Sequence, residues 1–64
     1  MNANMYVADV KVFLDETDDE RPVTVILKDE AECEMRCYLS VEAADKLLRE
    51  LRVHAPAIAR LEAK

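Results

Sequence analysis

Few residues in this 64-residue chain could do chemistry, and their spacing restricts each of them. The candidates are two thiols (Cys33 and Cys37), one imidazole (His54), the hydroxyls of Thr17, Thr24 and Ser40, and a run of acids from Asp15 to Glu20. Nucleophilic catalysis needs a nucleophile, a base and an orienting group within reach of one another. Ser40 stands where a helix cap is needed. Thr17 falls in a loop and Thr24 in a strand. Cys33 and Cys37 alternate with charged residues on a strand pattern that points both inward. His54 lies near the end of a helical pattern, off its apolar stripe, as an incidental surface histidine would. No catalytic residue is assigned, and the chain reads as non-enzymatic.

The cysteines also fail as a pair. Residues four apart on a strand point the same way but sit about 13 Å apart at ~3.3 Å per residue. A disulfide needs Cα atoms closer than about 7 Å. With Met35 between them, they read as soft core-fillers and inert thiols. Zinc-type ligand spacings are absent.

The acids Asp15, Glu16, Asp18, Asp19 and Glu20 form the loop DETDDER, completed by Arg21. An EF-hand starting at Asp15 would need glycine at its sixth position and glutamate at its twelfth, where Glu20 and Ile26 stand. Solvated connection is the plain reading. A weak surface Ca²⁺ or Mg²⁺ site is the sharper one, and an acidic surface imitating nucleic-acid phosphates is the third. No metal or cofactor is assigned. The chain has no glycine, which excludes glycine-rich phosphate loops and the dinucleotide fingerprint, and no small-molecule substrate is evident.

The elements that must position these residues follow from periodicity. Met5–Leu14 alternates, with Tyr6, Ala8, Val10, Val12 and Leu14 on an uncharged inner face. Pro22 opens a second strand, Val23–Lys28, with Val23, Val25 and Leu27 on one side. Asp29–Ala31 is a polar turn. Glu32–Leu39 alternates again, with Cys33, Met35, Cys37 and Leu39 inward. Val41, Ala44, Leu47, Leu48, Leu51, Ala55 and Ile58 then fall on one helical stripe, the width of a core-facing surface. Ser40 caps this helix, and Glu42–Lys46 and Asp45–Arg49 are i,i+4 pairs. Pro56 predicts an end or sharp kink near His54–Pro56, with a short extra helix or tail over 56–64. Residues 1–4 carry no pattern and are expected to fray.

The predicted fold is α+β: a three-stranded antiparallel β-meander packed on one face by a C-terminal α-helix (βββα), a single small domain over 1–64. Hydrophobic content of 52% is enough for a core, but a chain this short buries only about 60% of its unfolded surface and is marginal alone. The sheet's other face carries Val7, Phe13, Ile26 and Tyr38, and the tail carries Ile58 and Leu61. These six are the candidate interface.

Net charge is −5, with four Lys/Arg against ten Asp/Glu before residue 41 and five against four after it. That asymmetry disfavours nucleic-acid binding by the first half. Lys46, Arg49, Arg52 and Arg60 drift round the helix without forming a stripe. No leader or membrane-spanning run is read, so a cytoplasmic location is expected. The expected function is a small acidic interaction or accessory module, acting as a homodimer or with another protein. The alternative is an acidic, nucleic-acid-mimicking inhibitor, of the kind a phage could encode, on a basic site of a partner protein.

Overall fold

The computed structural model describes residues 4–64 and has three strands followed by one helix: β1 (Asp9–Leu14), β2 (Val23–Lys28), β3 (Glu34–Leu39) and α1 (Val41–Glu62). The sheet order is β1-β2-β3, antiparallel throughout, so the α+β meander-plus-helix architecture is as the periodicity predicts. Residues 1–3 of the expected frayed segment lie outside the described residues; Asn4 is exposed and outside any element.

The ladder fixes which side chains share a face. Val12 pairs with Val25, and Val25 with Cys37; the neighbouring rows are Val10–Leu27–Met35 and Leu14–Val23–Leu39. Side chains directly opposite in an antiparallel pair lie on one side of the sheet, so these nine residues form an uncharged near face. The alternate rows, Asp9–Lys28–Glu34, Lys11–Ile26–Arg36 and Phe13–Thr24–Tyr38, form the far face.

Only Ser40 separates β3 from α1. Its backbone is extended (φ −68°, ψ 166°), and the Ala43 N–H donates to its Oγ at 3.2 Å. The cap satisfies one of the free donors of the first turn. Asp45 and Arg49 form an ion pair at 2.9 Å one turn further on.

Four expectations need correction. β1 begins at Asp9, not Met5; the Ala8 N–H still reaches the Lys28 carbonyl at 2.7 Å, but Tyr6 is 86% exposed. β2 ends at Lys28, so residues before Ala8 have no ladder to join. β3 begins at Glu34, because Glu32 adopts φ 67° and turns the chain. Cys33 therefore falls in the turn and is exposed, while Cys37 is half-buried. The buried, inert pair of thiols is not found. Finally, α1 neither ends near His54 nor restarts at Pro56: one helix runs from Val41 to Glu62 with Pro56 inside it. Proline cannot donate to the Arg52 carbonyl four residues earlier, but Ala55, Ala57 and Ala59 around it are the strongest helix formers.

The core is minimal. Val25 (8% exposed) and Ile26 (7%) are the buried hydrophobic residues among those described, back to back on the two faces of the central strand. No residue of α1 is buried. The chain exposes 5890 Å², whereas a folded monomer of 7.3 kDa exposes about 4,200 Å² and its unfolded chain about 10,600 Å². About 45% of the unfolded surface is therefore buried, short of the roughly 60% usual at this size. The radius of gyration is 13.7 Å, against about 11 Å for a compact chain of this length.

Candidate interaction surface

The candidate surface is the near face together with α1. Ser40 fixes the start of the helix at the end of β3. Its first three turns bring Ala44, Leu47, Leu48 and Leu51 over Val12, Val23, Val25 and Leu39. Between them lies a cleft of about 260 Å³ with an entirely apolar lining. The helix stands over this cleft without closing it. Leu47 and Leu48 remain half-exposed, Leu51 is 52% exposed, and Leu14 at the sheet's corner is 70% exposed. Val10, Val12 and Met35 are exposed as well. The leucine stripe that periodicity assigns to the core is thus mostly accessible in the single chain.

Length adds to this. A 22-residue helix is about 33 Å long at 1.5 Å per residue. Six-residue strands span about 20 Å. The last turns of α1 have little sheet beneath them. There Leu51, Ala55, Ile58 and Glu62 line one shallow concavity, because the uninterrupted helix brings Glu62 back into the apolar stripe.

Of the six candidate interface residues, Phe13, Ile26 and Tyr38 line one concavity of the far face, while Val7, Ile58 and Leu61 lie outside it. Phe13 and Tyr38 are exposed and flank Thr24 in one row of the far face. Ile26 lies in that face but is buried at the floor of a concavity whose other lining includes Phe13, Arg36 and Tyr38, so it offers a partner little. Val7 is exposed but precedes β1. Ile58 (44% exposed) and Leu61 (66%) are on α1, remote in sequence from the far face. The far face is also charged: Glu34 stands between Lys28 at 3.8 Å and Arg36 at 3.7 Å.

The acidic loop has its own internal order. The Thr17 N–H and Oγ1–H both donate to Asp15 Oδ1, at 3.1 and 2.6 Å. The Glu20 and Arg21 N–H groups donate to Asp18 Oδ1, at 3.0 and 2.8 Å. These bonds favour the ionised form. The Arg21 amide, then the Glu20 amide, hold the Asp18 carboxyl below its ordinary value. Asp15 and Asp18 are therefore engaged in shaping the turn, in the manner of Asx turns; Glu16, Asp19 and Glu20 remain for solvent or a partner. Asp29 does the same in the next turn, where its Oδ1 accepts from the Ala31 and Cys33 amides, both at 2.9 Å.

Among the described residues, no group of three or more His, Cys, Asp or Glu is placed to hold a metal ion. Ser40 Oγ caps the helix and Thr17 Oγ1 is bonded to Asp15. No described helix is long and apolar enough to cross a membrane. Comparison with protein-family models, curated proteins and solved structures finds no match.

Sequence reasoning did not find the open near face. Periodicity places its nine residues on one apolar side, together with Tyr6 and Cys33, which fall outside the strands, but it carries no signal of how far a helix closes over them. The left-handed turn at Glu32 also had no signal, since glycine or asparagine normally marks such a position.

Proposed function

We propose that this chain is a non-catalytic protein-interaction module, working in the cytoplasm as a homodimer. One observation carries the reading: the single chain leaves an uncharged near face and a leucine-bearing helix accessible, and among the described residues Val25 and Ile26 are the buried hydrophobics. Contiguous apolar surface of this kind is characteristic of association sites. The shortfall in burial is about 1,650 Å² per chain, or about 3,300 Å² for a pair, which falls in the 2,000–5,000 Å² range of obligate homodimers.

The acidic-inhibitor alternative has less support. Two of its five loop carboxylates, Asp15 and Asp18, each commit one oxygen to the loop's own donors, which leaves them less hydrogen-bonding capacity for a partner. Charge reversal at Glu16, Asp19 and Glu20 is its test; it requires salt-sensitive partner binding that this change abolishes.

Sedimentation equilibrium tests the homodimer. The mass expected at tens of micromolar is twice the 7.3 kDa of the chain. A single-chain mass across that range refutes it.

A further inference from the structure

We propose that the second copy enters through the near face: the C-terminal arm of its α1, from Leu51 to Leu61, seats over β1 of the first copy beside Val10, Val12 and Leu14, and the exchange is reciprocal. This rests on the homodimer reading and says which surfaces make it.

Three observations lead there. The first is matched vacancy. All of β1 is exposed, its near-face side chains included, while the arm beyond Leu51 outruns its own sheet by about 13 Å on ideal helix and strand rises. Each chain thus carries an apolar shelf that its own helix only half covers, with Val12 at the cleft and Val10 and Leu14 exposed beside it, and a helical arm beyond Leu51 that its own sheet does not underlie.

The second is charge. Each chain carries −5, so two copies repel unless the surfaces that meet are neutral. The near-face rows contain no ionisable acid or base other than the Cys37 thiol. The far face instead holds Asp9, Lys11, Lys28, Glu34 and Arg36, and burying these would incur desolvation that imperfect pairs do not recover. Arg52 borders the arm's concavity; Glu62 is the one acid within the arm's stripe and stands in the last turn, at the arm's end.

The third is closure. In a two-fold pair, patch i meets patch j and j meets i. Arm-on-shelf contact made twice satisfies both vacancies at once and leaves none to propagate a filament.

The test is an isotope-filtered NOE experiment on a mixture of labelled and unlabelled wild-type chains, run beside sedimentation. The expected result is a two-chain mass with inter-chain NOEs from the Ile58 and Leu61 methyls to those of Val12 and Leu14. Ile58→Asp should weaken the dimer by about 100-fold, as hot-spot truncations do, while Phe13→Asp on the far face changes it by less than about threefold. A two-chain mass with inter-chain NOEs to Phe13 and Tyr38, or between the two β1 edges, overturns the arm exchange and leaves the homodimer standing. A one-chain mass overturns both.

Discussion

Dilution is the perturbation that best separates a self-sufficient chain from one completed by its partner. If folding and pairing are one event, thermal stability must depend on protein concentration, since association by mass action stabilises the folded state. The size follows from the structure. Two copies of the 61 described residues make 122, whose unfolding entropy is about 260 cal/mol/K at about 2.1 cal/mol/K per residue. A tenfold change in concentration is worth about 1.5 kcal/mol near the melting temperature, which over that entropy shifts Tm by about 5–6 °C. Raising the protein from 1 to 100 µM should therefore raise Tm by roughly 11 °C. Far-UV circular dichroism reads the transition at both concentrations in cells of different path length. The burial shortfall sharpens the expectation: a chain burying about 45% of its unfolded surface lacks about a quarter of the usual burial at its size. A Tm constant to within about 1 °C over the hundredfold range, with a reversible transition, would show that the two-residue core suffices and would refute completion by a second copy.

The remaining predictions concern local structure. Glu32 holds φ 67° without being glycine, a conformation costing an L-residue about 1 kcal/mol; Glu32→Gly should raise stability by about 0.5 kcal/mol after glycine's larger unfolded-state entropy is subtracted, and a fall in denaturation midpoint would contradict the turn. Pro56→Ala restores an N–H to the Arg52 carbonyl and should increase helical ellipticity and add about 1–3 kcal/mol; lower stability in urea unfolding would mean that the ring is needed by whatever the helix packs against. The Asp18 carboxyl has its pKa lowered by the Arg21 and Glu20 amides. A depressed folded pKa gives stability that is present above the ordinary value of 3.8 and is lost as pH falls through the lower folded value. The Arg21 and Glu20 amide shifts should then titrate with a midpoint below 3.8, and a midpoint at or above it would remove the loop hydrogen bonds from the account.

What the chain made legible, and what it withheld, divides along physical lines. β2 is legible to the residue because Pro22 and Asp29 bound it and both its neighbours pair along its length. The faces are legible because side chains alternate with period two, and the pairing of Val12 with Val25 and Cys37 follows. The start of β1 is not. Tyr6 and Ala8 continue the alternation, yet the ladder stops where β2 stops, and an edge strand has no length of its own. Cys33 misleads for a related reason: alternation runs on through Glu32, whose left-handed backbone turns the next residue out of the sheet. At Pro56 the local rule against proline meets three nearby alanines, which offset at most about 2 of the roughly 3 kcal/mol that proline costs in a helix interior, and the helix continues through it.

The helix stripe exposes a deeper limit. Val41, Ala44, Leu47, Leu48, Leu51, Ala55 and Ile58 do lie on one side, but amphipathicity states only that a surface must leave water. It does not state which chain removes it. A stripe satisfied by its own sheet and one satisfied by a second copy have the same spacing. They differ in quantities set by three dimensions: helix length against strand length, and accessible area against mass. Here a helix of about 33 Å stands on strands of about 20 Å, and the chain exposes 5890 Å² where about 4,200 Å² is usual. Those two mismatches move the candidate site from the far side of the sheet, where Phe13 and Tyr38 sit among charges, to the side that the helix only half covers.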